Sequence, residues 1–484
     1  MPYPENSGRI AWRPTEFAMQ TMSYMAPPPK KNRSSRIKYH IGFTSYPFLK
    51  EHRPVQTHKG KKLLILGSST GSVDLIKHAQ NHGAIVYVAD YYDAEHSPAK
   101  RYADEAVLLS TADTNSLEAY IRSEKIDCVY AGISEFNLIQ AMKLSERCNL
   151  PFYCNENQWN RIADKTAFRQ LCIEHNVPCP QTFFAGGDIP QDIGNAVEYP
   201  VIVKPADASS SVGITICQDK AALTSAIPIA QKASRNGEII IERFVCGYEF
   251  TAHYTIYNGK ASLSSIDNRY PVSVHEGNVT TIPVARIYPS SFIEEYLSTT
   301  NASLIDMCES LGLKYAVMFV QGLYDPSTNS FSIFEGALRG AGECPYRLIE
   351  KTNGISYATM ILDSMLLNTP LEGAWKDDPF MKGKSCGVIS YVALHGTVGS
   401  IVGFEDTIAA LPDIIDSESR YPVGSKTPDG DTLHQLMLRF FLVCENQERL
   451  AQDVDYINSK VNVYDINNKN LAIKFDPARL AGLE

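Results

Sequence analysis

A lysine that ends an apolar strand is the first residue of this sequence suited to chemistry. Lys204 follows the apolar run 201–203 and precedes the loop 206–213, which is rich in alanine and serine. Small residues let backbone N–H groups approach an anion closely, and the lysine adds a positive point charge. The pattern indicates a phosphate site, and a strand-end lysine beside an ordinary surface turn is the alternative.

Two glutamates farther along the chain bracket a glycine turn. Glu242 lies near the end of a strand predicted over 238–244, and Glu249 follows seven residues later. The backbone from Arg243 to Val245 can pair with the edge of an adenine, and Glu249 can accept hydrogen bonds from ribose hydroxyl groups. This turn therefore extends the predicted phosphate site to a whole nucleotide.

A third feature is a pair of oxygen-bearing side chains on two neighbouring strands. Gln321 and Glu335 lie on strands predicted over 315–323 and 330–334, and the hairpin between them can bring both side chains together. Oxygen ligands of this kind suit Mg²⁺, which keeps waters and phosphates as further ligands. Four residues past Glu335, Arg339 can neutralise a phosphoryl group or an acyl phosphate.

The elements that would position these residues follow two kinds of pattern. Residues 63–90 read as strand, loop, helix and strand, which is typical of a buried parallel sheet in a Rossmann-like domain. From about residue 155 the elements become longer and include antiparallel strands, with a hairpin predicted over 387–402. The predicted fold class is therefore α/β and α+β.

The loop 67–71 raises the alternative of a dinucleotide site, with Asp90 as the acid that binds a ribose. The dinucleotide fingerprint requires G-x-G-x-x-G, and this loop has only G-x-x-x-G. We therefore favour a Rossmann-like domain that uses its strand ends for another purpose.

Lysine, small-residue loop, adenine hinge, carboxylate pair and arginine, in this order, resemble the ATP-grasp superfamily over about residues 61–470. The glutamine at the first metal position is similar to carbamoyl-phosphate synthetase domains. Residues 384–460 resemble the C-terminal domain of the bacilysin-type amino-acid ligases and of biotin carboxylases. The implied domains are a basic, proline-rich extension (1–60), a Rossmann-like pre-ATP-grasp domain (61–155), an ATP-grasp domain (156–370, with a lid at about 195–250) and a C-terminal α+β domain (371–484).

The resemblance also implies a role for each residue of the pattern. The ATP-binding residues would be Lys165, Lys204, Ser209, Ser210, Ser211, Glu242, Arg243, Val245 and Glu249, the metal ligands Gln321 and Glu335, and the catalytic residue Arg339. ATP and Mg²⁺ are the implied cofactors, with Mn²⁺ as the alternative ion. Many family members carry an asparagine two residues after the second metal ligand, where this chain has Ala337, so a second Mg²⁺ is less expected.

The implied activity is that of an ADP-forming carboxylate–amine ligase. ATP would phosphorylate a carboxylate to an acyl phosphate, and an amine would then displace the phosphate to form an amide. Arg269, Arg286 and His275 lie between the hinge and the metal strands and are candidates to bind these substrates; surface arginines paired with nearby acids are the alternative. A bicarbonate-using enzyme of the carboxylase or carbamoyl-phosphate type and a non-catalytic nucleotide-binding module are the competing functions.

Composition limits the remaining function classes. The chain has 484 residues, enough for about three domains, and its net charge of −9 argues against generic nucleic-acid binding. No apolar run approaches the roughly 18 residues of a membrane span, and the eleven cysteines include no CxxC pair. We expect a cytoplasmic enzyme that acts on small molecules, with neither membrane nor nucleic-acid partner, as a monomer or homodimer.

The N-terminal segment has the opposite charge to the rest of the chain. Residues 1–62 carry 12 Lys and Arg against 3 Asp and Glu, so an arm that touches RNA or membrane is an alternative for this segment.

Overall fold

The computed structural model describes residues 57–68, 70–94, 96–207, 213–274, 282–373, 375, 377–429 and 432–480. Three of the sequence-based predictions concern residues outside these ranges. They are the basic extension up to residue 56, the serines Ser209, Ser210 and Ser211, and His275.

The N-terminal domain is a parallel four-stranded sheet with helices between its strands. Its strands are β1 (Lys62–Leu66), β2 (Ile85–Asp90), β3 (Glu105–Leu108) and β4 (Cys128–Tyr130), and its helices are α1 (Thr70–Asn81), α2 (Thr114–Glu124) and α3 (Glu135–Cys148). The strand order is β3-β2-β1-β4, with Leu64 of β1 opposite Tyr87 and Val129. The central strand β1 is almost entirely buried because both faces of a parallel sheet are covered.

The next segment contains four helices and a small antiparallel sheet. The helices are α4 (Glu156–Ala163), α5 (Lys165–Glu174), α6 (Ile193–Ala196) and α7 (Lys220–Ala233), and the strands are β5 (Thr182–Gly186), β6 (Val201–Pro205), β7 (Thr215–Cys217) and β8 (Ile239–Arg243). The sheet order is β5-β8-β6-β7, and α6 and α7 supply the rest of a separate hydrophobic core. We call this unit the small sheet.

Side-chain caps explain where several of these helices begin. Asp113, Ser134, Asn155, Asp164 and Asp219 each precede a helix and accept a hydrogen bond from a backbone N–H of its first turn. Such residues satisfy N–H groups that have no partner within the helix. Asp164 is relevant to the site, because it fixes the start of the helix that carries Lys165.

A second antiparallel sheet forms the centre of the molecule. It comprises β9 (Tyr248–Tyr257), β10 (Lys260–Ile266), β13 (Tyr315–Asp325) and β14 (Ser330–Ala337), in the order β10-β9-β13-β14. The helices α8 (Ile293–Thr299), α9 (Asn301–Ser310), α10 (Tyr346–Asn353) and α11 (Tyr357–Leu367) belong to the same part of the chain. Strands β9, β13 and β14 form the antiparallel layer that the sequence predicts.

The C-terminal region contains two further sheets, one with more strands than the other. The strands are β11 (Asn268–Val272), β12 (Ile282–Tyr288), β15 (Ser385–Ala393), β16 (Gly396–Val402), β17 (Ile414–Ser419), β18 (Lys426–Thr427), β19 (Leu436–Cys444), β20 (Asn462–Asp465) and β21 (Ala472–Ile473), and the helices are α12 (Phe404–Ala410) and α13 (Gln447–Lys460). Short 3₁₀ helices span Pro98–Arg101, Met381–Gly383, Leu433–Gln435 and Pro477–Leu480.

The larger sheet has the order β11-β12-β15-β19-β17, and it takes β11 and β12 from before the predicted boundary at residue 370. The prediction of a hairpin over 387–402 is wrong. β15 pairs with β12, β19 and β21, whereas β16 pairs with β18 and β20. A short turn between two apolar strands predicts a hairpin, but here the two strands enter different sheets.

One hydrophobic core runs through the N-terminal domain and the central sheet, and a second lies under the C-terminal sheets. The first core includes Leu63 of β1 and Val320 of β13, so the parallel sheet and the central sheet are packed as one body. Within the described ranges, no helix combines the length and the apolar character that a membrane span requires.

Candidate active site

One face of the central sheet brings together the residues of the predicted metal site. Gln321 and Glu335 are direct partners in the β13–β14 register, and Phe319 is opposite Ala337. Because side chains alternate between the two faces of a strand, Gln321 and Glu335 project to the same side. Both are partly exposed, as accessible ligands must be. The predicted juxtaposition is therefore present, while the role of the pair as metal ligands stays a prediction.

Arg339 lies just past the end of β14, on the side of Glu335. Its Cζ atom is 5.3 Å from the centre of the Phe319 ring, and Nη1 donates to the Gly340 carbonyl at 3.1 Å. Its Nη2 is 3.6 Å from Glu135 Oε2. Glu135 opens α3 after the carboxyl end of β4, so the parallel sheet uses its strand ends to complete this site.

The dinucleotide alternative for the parallel sheet is not supported. Asp90 is 4% exposed and already has three partners. Lys100 Nζ is 3.1 Å from it, Ser97 Oγ donates to it at 2.7 Å, and the Tyr92 N–H donates to it at 2.8 Å. An acid in this state is not available to a ribose.

The lysine–glutamate–arginine cluster, formed by Lys204, Glu242 and Arg169, connects the small sheet to the central sheet. Lys204 Nζ is 2.6 Å from Glu242 Oε2, and Arg169 Nε donates to Glu242 Oε1 at 2.9 Å. All three side chains are buried. Arg169 Nη1 also donates to the Ile333 carbonyl of β14 at 2.8 Å, two residues before Glu335. The predicted nucleotide residues are thus tied directly to the strand that carries the predicted metal ligand.

Helix α5 packs closely on β14 at the same place. A Cβ atom on Gly336 would lie 2.5 Å from the Phe168 ring, so only glycine allows this approach. Lys165 and Arg169 are one turn apart on α5 and therefore share the face that Phe168 adjoins. The charge of Lys165 contributes to the lowered pKa of Lys204, which places the two lysines near each other.

Burial is the main cause of the pKa shift of Lys204. It lowers the pKa of the ammonium group, and the neighbouring Glu242 carboxylate opposes that shift only in part. A lysine held in this way keeps a cation at a strand end without exposing it to water. Arg169 was missed by the sequence analysis, although a charged residue on the buried stripe of an amphipathic helix is a signal that could have found it.

The hinge between β8 and β9 is only partly free to bind an adenine. The Arg243 N–H donates to the Gln181 carbonyl at 2.9 Å, and the Arg243 side chain pairs with Glu198. Phe244 N–H donates to the Pro200 carbonyl at 3.0 Å. Within the described part of the chain, the Val245 N–H has no hydrogen-bond partner, so it is the donor of this hinge that a base can use.

Ion pairs occupy the two arginines predicted to bind substrate. Arg269 pairs with Glu249, the residue predicted to bind ribose. Arg286 Nη1 is 2.7 Å from Asp267 Oδ2, and its Nη2 is 2.8 Å from Glu343 Oε1. A substrate carboxylate would have to compete with these partners, so the clamp role of both arginines stays a prediction.

Burial and neighbouring charges shift the pKa values of Arg269 and Glu343. Burial, with the nearby positive charge of Arg286, lowers the pKa of Arg269 to about 9, against the opposing charge of Glu343. Burial acts to raise the pKa of Glu343, but the positive charges of Arg286 and Arg439 outweigh it and lower that pKa. Glu343 is therefore held as a carboxylate.

Several buried polar atoms around Glu343 have no protein partner. Both ring nitrogens of His253, the Ser265 hydroxyl, the Tyr288 hydroxyl and the Tyr357 hydroxyl are buried without a hydrogen bond in the described structure. Glu343 is close enough to His253, Tyr288 and Tyr357 for its charge to act on their pKa values, and Ser265 is opposite His253 in the β9–β10 register. We call these four side chains the acceptor-side cluster. Burial lowers the pKa of His253 to about 4, so its ring is neutral at pH 7.

Sequence reasoning assigned His253 no role, although its neighbourhood carries a signal. Thr251, His253 and Thr255 alternate with apolar residues along β9, which predicts a polar face within a buried sheet. In the register with β13, Thr251 is opposite Gln321 and His253 is opposite Phe319. The polar row of β9 therefore adjoins the predicted metal pair on the same face.

Comparison with known proteins identifies this arrangement. Residues 180–272 match the family described as D-ala D-ala ligase C-terminus. The L-amino acid ligase from Bacillus licheniformis superposes with a TM-score of 0.68 at 16% identity, covering 84% of this chain and 99% of that one. The chain has an ATP-grasp fold. The biotin carboxylase domain of the Hydrogenobacter thermophilus 2-oxoglutarate carboxylase, solved with ADP, magnesium and bicarbonate, superposes on this ATP-grasp fold with a TM-score of 0.67 at 15% identity, covering 83% of this chain and 91% of that domain.

Among curated sequences, the formate-dependent phosphoribosylglycinamide formyltransferase of Bacillus velezensis is 25% identical over 193 residues. That match covers 39% of this chain and 49% of the relative, so the chain spans about half the length of the curated relatives it matches. These similarities confirm the predicted resemblance and the predicted fold class. The similar proteins include ligases and a carboxylase that binds ADP with magnesium, and the chemistry of this chain is argued separately below.

Proposed function

We propose that this protein is an ATP-dependent, ADP-forming carboxylate–amine ligase that uses Mg²⁺, with Mn²⁺ as the alternative ion. The observation that supports this best is the linkage between the lysine–glutamate–arginine cluster and β14. Through Arg169 it joins the buried Lys204 to the strand that carries Glu335, the partner of Gln321. Phosphoryl transfer requires such converging positive charge, because negative charge spreads over the transferring oxygens.

The residues present fit a magnesium ion. Gln321 and Glu335 offer an amide and a carboxylate oxygen from directly paired positions, and hard oxygen donors are what Mg²⁺ prefers. When bound, Mg²⁺ would neutralise part of the phosphate charge. Ala337, two residues past Glu335 on the same strand, offers no ligand atom, so we propose one firmly held ion rather than two.

The chain's own residues would act on ATP and the acyl phosphate in distinct ways. Lys204 and Lys165 would bind the phosphates, the Val245 N–H would bind the adenine edge, and Arg339 would stabilise charge on the transferring phosphoryl group. Glu249 would bind ribose only after yielding its contact with Arg269. The acyl phosphate hydrolyses readily, so the buried acceptor-side cluster is suited to hold the second substrate away from water.

A bicarbonate-using reaction is the second candidate function. It is favoured by the ionised Glu343, which lies four residues past Arg339, and by the similarity in fold to a carboxylase solved with bicarbonate. Under this alternative, ADP release depends on bicarbonate instead of an organic carboxylate.

The test is ADP and phosphate release from the full chain with a panel of carboxylates and amines, followed by the mass of the product. We expect release to require one carboxylate and one amine, and the product to be their amide. Glu335→Gln serves as the comparison with an altered Mg²⁺ dependence, and Glu309→Gln as the matched control, because Glu309 is half-buried and pairs with the exposed Lys260. Release with bicarbonate alone would favour the carboxylase alternative, and ATP binding without any release would favour a nucleotide-binding module.

The cellular setting and assembly stay predictions. The free cysteines of the described structure include several buried thiols, such as Cys128 and Cys308, whose pKa values burial raises. Such thiols are typical of a reducing compartment, which agrees with the proposed cytoplasmic location. A homodimer can be checked by sedimentation of the full chain.

A further inference from the structure

Three histidines and an aspartate meet at the edge of the parallel sheet that is remote from the active site. His58 precedes β1, His78 lies in the last turn of α1, His82 follows one turn later, and Asp363 belongs to α11. The ring centres of His78 and His82 are 4.4 Å apart, and that of His58 lies 5.3 Å from His82. Because α1 begins at the carboxyl ends of the strands, its last turn is at the opposite edge from Glu135.

The distances within this group approach those of a metal site. Asp363 Oδ1 is 2.7 Å from His78 Nε2 and 3.1 Å from His58 Nε2, and the three candidate ligand atoms lie within 4.8 Å of one another. Ligands of one tetrahedral Zn²⁺ ion, each at about 2.0–2.2 Å from the metal, are roughly 3.4 Å apart. Small shifts of His58, His78 and Asp363 would therefore give three ligands at tetrahedral spacing. His82, whose ring centre is 4.4 Å from that of His78, would turn toward them to supply the fourth.

The histidines are prepared for such a role by their surroundings. His82 Nδ1 is 2.8 Å from the His78 carbonyl, and when Nδ1 donates to that carbonyl the lone pair of Nε2 is left for a ligand. The His58 N–H donates to the His82 carbonyl at 2.8 Å, so the backbone holds His58 at the end of α1. His78 and His82 are four residues apart, which places both rings on one helix face.

The His58 side chain is 1% exposed and presents its Nε2 to Asp363, so an ion bound between these two side chains would be shielded from water. Imidazole ligands select transition metals over Mg²⁺, which prefers oxygen.

We propose that His58, His78, His82 and Asp363 bind one divalent transition-metal ion, with Zn²⁺ the best match. The ion fastens the segment before β1 to α1 and α11, and thereby the parallel sheet to the central domain. A site closed by four protein ligands is structural, since it leaves no open position for a substrate. This inference does not depend on the proposed ligase reaction.

The test uses the full chain carrying Cys246→Ser, because Cys246 is an exposed thiol that would bind added metal. After removal of metal with a chelator, Zn²⁺ is titrated calorimetrically in excess Mg²⁺, and Co²⁺ is added in parallel to record its visible spectrum. We expect one Zn²⁺ per chain, a tetrahedral Co²⁺ spectrum without thiolate bands, and a higher Tm with Zn²⁺.

His58→Gln/His78→Gln should weaken Zn²⁺ binding by at least the order of 10–100-fold that outer-shell changes alone produce. His175→Gln is the matched control, because His175 forms another histidine–aspartate contact, 2.6 Å from Asp306, outside the cluster. Equal Zn²⁺ affinity in the double variant and the control would overturn the proposal. So would absence of a tetrahedral Co²⁺ spectrum in the parent protein, a result that does not depend on how the variants fold.

Discussion

The proposed nucleotide side and the proposed acceptor side of the site differ in how their buried polar groups are paired. On the nucleotide side, Glu242 accepts from both Lys204 and Arg169, and Arg169 spends a further donor on β14. On the acceptor side, both nitrogens of His253 and the Tyr288 and Tyr357 hydroxyls are buried without partners. Glu242 is thus paired within the protein, whereas these groups of the acceptor-side cluster retain unused hydrogen-bonding capacity.

This difference indicates which part of the site would serve the phosphate chemistry and which part would select the substrate. The lysine–glutamate–arginine cluster holds Lys204 in one place, and this does not depend on the identity of the second substrate. Unpaired buried groups carry a free-energy cost that a ligand or an ordered water can remove. Substrate selectivity should therefore depend on the acceptor side, and phosphate chemistry on the nucleotide side.

The largest effect should come from Lys204→Ala. Loss of the phosphate-binding cation should reduce ADP release by more than about 10³-fold, the upper end for a single charged donor. The fold should persist, because Arg169 still pairs with Glu242. Lys232→Ala, at an exposed lysine of α7, is the control. Unchanged ADP release in the Lys204 variant would refute the assignment of a nucleotide side.

Arg339→Ala should reduce kcat on the order of 10²–10³-fold with little change in the KM for ATP, because the charge acts mainly in the transition state. Arg339→Lys should recover little, since an ammonium cannot reproduce the guanidinium fork. Steady-state kinetics of both variants beside Arg122→Ala, an exposed arginine paired with Glu118, decide this. A rise confined to the KM for ATP would instead make Arg339 a nucleotide anchor.

Glu335→Gln should shift the Mg²⁺ dependence of the rate by about tenfold or more, because the amide keeps the shape of the ligand but not its charge. ATP affinity should change less. The measurement is a Mg²⁺ titration of ADP release, with Glu309→Gln as the control. If the two variants give the same Mg²⁺ midpoint, Glu335 is not a ligand.

His253 should make stability depend on pH. Its pKa is lowered to about 4 in the folded protein, below the ordinary value of 6.5, so the unfolded chain binds the proton more readily. Stability is therefore complete above about pH 6.5 and falls as the pH drops toward 4, by about 2 kcal/mol between pH 7 and pH 5. Urea unfolding of the parent and of His253→Phe at both pH values measures this. A parent and a variant that lose equal stability would show that the ring is not held neutral.

The smallest effect should come from Tyr288→Phe. The hydroxyl has no protein partner, so its removal should leave the free energy of unfolding unchanged or raise it by about 1 kcal/mol. The KM for the acceptor substrate should rise while the KM for ATP stays constant. An altered KM for ATP alone would mean that the two sides are not separate, and Tyr456→Phe, at an exposed tyrosine of α13, is the control.

Much of the candidate site could be predicted because its signals are local. A polar residue at the end of an apolar strand stands out, and two strands joined by a short turn commonly pair, which was enough to bring Gln321 and Glu335 together. The hairpin over 387–402 failed for the complementary reason. A short connection does not reveal whether its two strands stay in one sheet, and β15 found its partners far away in sequence.

The sequence by itself determined the order of the chemical groups, the alternation that puts Thr251 and His253 on one face of β9, and the caps that begin the helices. Only the tertiary structure decided which groups are already paired. The sequence leaves open whether Arg269 and Arg286 are substrate clamps or arginines paired with nearby acids, and folding sets them against Glu249, Asp267 and Glu343. The physical reason is that the availability of a charge depends on its burial and its partners, and those partners come from elements separated along the chain.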